Sequence, residues 1–143
     1  MTQQTVLLVD DEENVTRALA RLLAFEPYRI LCANSAREAL EMLAENEVQV
    51  VISDERMPQM DGPTFLAEVH LRYPHITRMI LTGQNSPEAA LQALNEGRSL
   101  HYRAEVFRFF NKPCQAEDLI GGIREALQLH HGAEALRRQA RPA

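Results

Sequence analysis

Five polar residues stand where short apolar runs stop, and their types suit a site that handles a phosphoryl group. Asp10 and Asp11 end the run from Thr5 to Val9. Asp54 follows the run from Val48 to Ile52, one residue after Ser53. Thr82 follows the run from Ile76 to Leu81, and Lys112 the run from Val106 to Phe110. Three carboxylates brought within several ångströms repel one another, and a hard divalent cation with oxygen ligands relieves that repulsion. Mg2+, or Mn2+ in its place, suits a site with few carboxylates that leaves room for water and a phosphate. A lysine and a hydroxyl facing such a cation supply what a transferring phosphoryl group needs to spread its charge. The carboxylate of Asp54 can then act as nucleophile and form an acyl phosphate. Each residue alone has a plainer reading: an Asp at a strand end caps a helix, and Thr-Gly or Lys-Pro makes a turn. The five together at matching places carry the inference. Asp61-Gly62 reads instead as a turn feeding a helix, and Met57-Pro58 as a way of fixing the loop after Asp54.

The elements that must position these residues follow from the patterning. The four apolar runs, with a weaker one from Tyr28 to Cys32, are short and unbroken, as strands buried on both faces of a parallel sheet should be. Between them lie segments of helical period. Val15, Leu19, Leu22 and Leu23 share one face, as do Ala36, Ala39, Leu40 and Leu43; Phe65, Leu66 and Val69 mark a third helix, Ala90, Leu91 and Leu94 a fourth, and Leu119, Ile120, Ile123 and Leu127 a fifth. Ser35 with Glu38 forms a capping-box pattern at the second helix, and Ser86-Pro87 opens the fourth with proline at its first position. Strand then helix, five times over, predicts an α/β doubly wound domain with a five-stranded parallel sheet and helices on both faces. Ligands of such sheets bind beyond the carboxyl ends of the strands, which is where the five polar residues fall. Gly121-Gly122 interrupts the last helix at a cost of about 1 kcal/mol per glycine, with no reason visible in the sequence. From His130 to Ala143 there is no strong apolar face, so that stretch reads as a fraying helix end or a linker.

The 143 residues fit one compact domain, and 45% of them are hydrophobic. No apolar run approaches the roughly 20 residues needed to span a bilayer. The start, Met1 to Gln4, is polar and lacks the features of a signal peptide, so a soluble cytoplasmic protein is expected. Cys32 and Cys114 match no metal spacing and read as small apolar residues in a reducing compartment. A net charge of −5 argues against tracking a nucleic-acid backbone, and the terminal cluster Arg137, Arg138 and Arg141 is too small to alter that. Neither direct nucleic-acid nor membrane binding is expected.

The segments VLLVDDE (Val6 to Glu12), VISDERMPQMDG (Val51 to Gly62), ILTG (Ile80 to Gly83) and FFNKP (Phe109 to Pro113) together resemble the response-regulator receiver family of bacterial two-component (phosphorelay) systems. The resemblance covers most of residues 5 to 129. It implies the flavodoxin-like strand order 2-1-3-4-5, with residues 1–129 as receiver domain and 130–143 as a tail or the start of a linker to an output domain. It implies that Asp54 accepts a phosphoryl group from a sensor histidine kinase or phosphotransfer protein. Asp11 resembles the direct metal ligand, Asp10 acts more through water, and Asp54 and the backbone carbonyl of Arg56 complete the protein ligands. Lys112 resembles the partner of the phosphoryl oxygens, Thr82 the switch hydroxyl and Phe109 the switch aromatic. The face made by the fourth helix, fifth strand and fifth helix would then change, to be read by an output domain, a downstream protein or a second copy of the chain.

Two departures stand out. Gly97 and Lys112 are 15 positions apart, against roughly half that in related receivers, so Arg98 to Glu105 reads as an insertion or a prolonged fourth helix. His101, Tyr102 and Arg103 lie there, and a solvated loop is the simpler reading. Cys114 stands where the family has a bulkier residue. Glu55, Arg56 and Gln84 border the path of an attacking water and are expected to tune the lifetime of the phosphoryl group. One alternative is a pseudo-receiver that keeps the fold as an interaction module without phosphorylation. Another is an aspartyl-nucleophile phosphohydrolase, but such enzymes carry a second acid where this chain has Arg56, and turnover of a free substrate is not expected.

Overall fold

Strand β1 (Thr5–Val9), helix α1 (Glu13–Leu22), β2 (Arg29–Ala33), α2 (Ala36–Glu45), β3 (Val50–Asp54), α3 (Gly62–Arg72), β4 (Thr77–Thr82), β5 (Val106–Asn111) and a C-terminal helix (Ala116–Ala140) follow one another along the chain. The structure, a computed structural model, describes residues 3–82, 106–111 and 114–140. The expected fourth helix with Ser86-Pro87, Gln84, the 98–105 segment and Lys112 lie outside the described residues. All strand pairs are parallel, in the order β2-β1-β3-β4-β5. The chain therefore reverses its direction of travel across the sheet between β1 and β3, the place where such sheets bind ligands.

The strands read as unbroken apolar runs because each face of the sheet has its own core. Leu7, Val9, Val51 and Ile80 point to one side, against Ala36, Ala39 and Leu43 of α2 and Phe65, Leu66 and Val69 of α3. Their neighbours Val6, Leu8, Val50, Ile52, Met79 and Leu81 point to the other, against Leu19 and Leu23 and against Leu119, Ile123 and Leu127 of the C-terminal helix. This is the period-two alternation of a strand used twice. Leu22 is the exception to the face expected for α1: it is exposed while Leu23 is buried. α1 ends at Leu22, and Leu23 is its C-cap, with non-helical backbone angles, so Leu23 departs from the helical period that would have set its face.

Four strands end beyond the apolar runs that announced them. β3 runs to Asp54, β4 to Thr82 and β5 to Asn111, while β2 reaches Ala33. Ladder hydrogen bonds are made by the backbone and need no apolar side chain, so Asp54 and Thr82 are members of the sheet.

Helix starts follow local chemistry. Ser35 Oγ accepts from the Glu38 amide at 3.0 Å, and Glu38 reaches back to the amide of Asn34 at 3.4 Å, one residue before the cap. Asp61 caps α3 by accepting from the Thr64 amide at 2.8 Å. The C-terminal helix passes through residue 130 without a break to Ala140. His130 Nε2 and Thr77 Oγ lie 2.8 Å apart, and Arg124 pairs with Glu26 at 2.9 and 3.1 Å, which ties that helix to β4 and to the turn after α1. Both cysteines are free, and burial pushes their thiols up, with Asp118 adding to the effect at Cys114. Among the described residues no helix is long and apolar enough to cross a membrane.

The paired glycines of the C-terminal helix differ. A Cβ at Gly122 would lie 2.8 Å from Cζ of Phe110 and 3.3 Å from Cδ of Arg108, whereas nothing lies within 4 Å of one at Gly121. Gly122 thus lets the helix approach β5, and Gly121 has no such role. Gly121→Ala is expected to stabilise the protein by about 0.5–1 kcal/mol. Thermal unfolding should show a rise of roughly 2–4 °C, and Gly122→Ala should show none. Equal rises would contradict the close contact.

Candidate functional site

The register of β1 on β3 pairs Val9 with Ser53, so the next residues, Asp10 and Asp54, emerge side by side at the point of reversal. Asp11 follows. One carboxylate oxygen from each of Asp10, Asp11 and Asp54 lies within 4.8 Å of the others. Asp10 and Asp54 are buried, whereas Asp11 is exposed. Asp54 is therefore fixed at the end of β3 and Asp10 is buried in the loop that follows β1, while Asp11 faces solvent.

Local hydrogen bonds fix the acidic rim. The Asp10 amide donates to the Ala33 carbonyl at 3.1 Å, and Asp10 Oδ1 accepts from the amide of Glu12, the residue capping α1, at 2.9 Å. Asn34 Nδ2 donates both to the Asp10 carbonyl at 3.0 Å and to Thr16 Oγ at 3.2 Å. The loop bearing Asp10 and Asp11 is thereby tied to β2 and α1 together. The positive end of α1 also points toward the acids.

Asp54 closes β3. The next amide, that of Glu55, donates to the Leu81 carbonyl at 2.9 Å, and the Glu55 carbonyl accepts from the Gly62 amide at 2.9 Å. A Cβ on Gly62 would stand 2.1 Å from the carbonyl oxygen of Asp54. Only a glycine lets the start of α3 come this close to the Asp54 backbone. The turn reading of Asp61-Gly62 holds for Asp61, but Gly62 also packs against the backbone of Asp54. Sequence reasoning missed it because a glycine after an aspartate signals a turn whether or not another strand lies above it. Between them the loop carries Gln59 in the left-handed region, at φ 70°.

Thr82 closes β4 and is buried. Its hydroxyl donates to Glu55 Oε2 at 2.5 Å. The residue expected to border the water path thus also touches the residue expected to switch. Phe109 lies on β5 with its backbone opposite Ile80. Arg56 is exposed in the loop after Glu55. Asn111, whose Cα partner is Thr82, directly precedes Lys112. Among the described residues, the donors gathered at the rim are carboxylate oxygens, the chemistry of a hard cation such as Mg2+.

A parallel α/β sheet with this acidic rim at its reversal point defines a class of phosphoryl-handling signalling domains. Residues 6–124 match the family model of the response regulator receiver domain, and the chain belongs to that family. It is 34% identical over 128 residues to the hydrogenase transcriptional regulatory protein HoxA of Bradyrhizobium diazoefficiens, covering 90% of this chain and 25% of that protein. It is 33% identical to the regulatory protein AtoC of Escherichia coli, covering 92% of this chain and 27% of AtoC. Among solved structures, the signal receiver domain of an HD domain-containing protein from Pseudomonas fluorescens superposes with a TM-score of 0.78 at 39% identity, covering 92% of this chain and 99% of that one. The chain spans about a quarter of the length of the curated relatives it matches. It is a signalling domain of the two-component type, with the fold expected from its sequence.

Proposed function

We propose that Asp54 is the phosphoacceptor of this receiver and that its modification, in a Mg2+-dependent reaction, switches a surface read by a partner. The observation that carries the reading is the meeting of Asp10, Asp11 and Asp54 within 4.8 Å at the carboxyl edge of the sheet. Asp11 would hold the cation directly, Asp10 largely through water, with Asp54 and the Arg56 carbonyl as further ligands; Mn2+ would serve as well. When bound, the cation neutralises charge on the phosphoryl oxygens.

An Asp54 carboxylate oxygen attacks phosphorus, the donor's bond to phosphorus breaks, and the leaving group departs with the electron pair. Lys112 and Thr82 pair with the phosphoryl oxygens. Thr82 moving inward vacates space that Phe109 fills. The face of the fourth helix, fifth strand and fifth helix changes with it. Moving such an equilibrium from 1:99 to 99:1 takes about 5.5 kcal/mol of differential stabilisation. Glu55, Arg56 and Gln84 set how long the acyl phosphate survives. The donor would be a sensor histidine kinase or phosphotransfer protein in the cytoplasm, and the reader an output domain, a downstream protein or a second copy of the chain. Residues 1–129 would form the receiver body, and 130–143 a tail or the start of a linker to an output domain. The chain catalyses its own modification without turning over a free substrate.

Incubation with acetyl phosphate or phosphoramidate and Mg2+, followed by intact mass, tests the proposal. A gain of one phosphoryl group, sensitive to hydroxylamine and abolished by EDTA, is the expected result. Unchanged mass with both donors would leave the pseudo-receiver as the better reading.

A further inference from the structure

We propose that Glu55 is a positioning residue that holds Thr82 in the resting state, so that the hydroxyl must leave a carboxylate before it can reach a phosphoryl group. The inference rests on the assignment of Thr82 as the switch hydroxyl. It adds to that assignment the group against which the switch works.

The Glu55 backbone is held at both ends: its amide bonds the Leu81 carbonyl at 2.9 Å, and its carbonyl accepts from Gly62 at 2.9 Å. That anchorage sets the side chain across the seam between β3 and β4, where Oε2 accepts from Thr82 Oγ at 2.5 Å. Thr82 is buried, and Glu55 is half-buried, so the contact is shielded from the solvent that weakens most surface bonds. A hydroxyl carries one proton. Thr82 can give it to Glu55 or to a phosphoryl oxygen, but not fully to both. Hydrogen bonds to an ionised acceptor are roughly twice as strong as neutral ones, so the choice is between two charged acceptors. The phosphoryl group carries the larger charge and also repels the Glu55 carboxylate. Phosphorylation therefore both competes for the proton and pushes the competitor away, and Glu55 sets how much of the resting population has Thr82 already turned from it.

Two substitutions separate this from simple repulsion. Glu55→Asp keeps the charge but shortens the reach by one methylene, whereas Glu55→Gln keeps the reach and removes the charge. If Glu55 acts through the bond, Glu55→Asp and Glu55→Ala should tighten beryllofluoride binding with Mg2+ by about tenfold. Glu55→Gln, which still offers an acceptor, should change it by about threefold or less. In the unphosphorylated protein, NMR coupling constants of the Thr82 side chain should show one χ1 rotamer in the parent and averaging in Glu55→Asp. In a Thr82→Ala background Glu55→Asp, which keeps the charge, should have no effect on beryllofluoride binding.

The proposal is overturned if Thr82 keeps its rotamer in Glu55→Asp, if Glu55→Gln has the larger effect, or if the effect of Glu55→Asp persists in Thr82→Ala. The rotamer measurement needs no phosphorylation. Failure of the holding contact is thus distinguishable from failure of Asp54 as acceptor, which the mass of the parent protein reports.

Discussion

Asp54→Asn is expected to end phosphoryl acceptance and, in the absence of Mg2+, to make the fold more stable. Asparagine fills the same space, but its neutral amide is a poor nucleophile toward phosphorus, so no mass gain should appear with acetyl phosphate. The stability change comes from the same carboxylates. Two unit charges within 4.8 Å of one another at an effective dielectric of about 20 repel by at least roughly 3 kcal/mol. Asp11 is exposed, the α1 terminus faces the cluster and other neighbours offset part of the repulsion. A net gain of about 1 kcal/mol is therefore expected from removing the charge of Asp54. Urea unfolding in EDTA measures it. Adding Mg2+ should raise the midpoint of the parent by mass action and that of the variant less. A variant less stable than the parent in EDTA would mean that the neighbours outweigh the repulsion, and that no cation is needed to hold the acids together.

What could be read from the sequence was whatever local patterning encodes. A sheet covered on both faces turns each strand into an apolar run, so Asp10, Asp11 and Asp54 stand out as interruptions of a repeated pattern, and Thr82 and Lys112 by the same logic. The structure gathers the three acids as the runs foretold. Features that depend on two distant segments meeting left no such mark. Arg78 sits inside the apolar run of β4, fully buried, with Nη1 donating to the Leu66 carbonyl of α3 at 2.9 Å; nothing in its neighbours foretold that partner. Gly122 looked like a defect of its helix until Phe110 was found against it. Glu55 could be placed beside the acceptor from its position in the chain, but its bond to Thr82 follows from the pairing of β3 with β4. Strand ends were misjudged for a related reason: the ladder continues under polar side chains because the backbone makes it.

Gly62→Ala tests the least visible of these dependencies and should damage fold and site at once. The added Cβ would stand 2.1 Å from the Asp54 carbonyl oxygen and 3.0 Å from both the Asp54 carbonyl carbon and Glu55 Cα. All three neighbours are backbone, so no side chain can swing aside. Either α3 or the end of β3 must move, and Asp61, which caps α3, resists the first. Overpacking of this kind costs about 3 kcal/mol, well beyond the few tenths that alanine returns through helix propensity. Displacement of the β3 end by even about 1 Å would lower the rate of phosphoryl acceptance by up to a hundredfold, because the proposal gives Asp54 the roles of nucleophile and cation ligand at once. Gly132→Ala provides the control: it lies in the C-terminal helix with nothing within 4 Å, so there the same change should stabilise. Urea unfolding of the two variants and initial rates with phosphoramidate would show opposite signs of stability and loss of rate in Gly62→Ala alone. A Gly62→Ala protein as stable and as reactive as the parent would show that α3 does not bear on the acceptor. Asp54 would then owe its position to β1 and β4 by themselves.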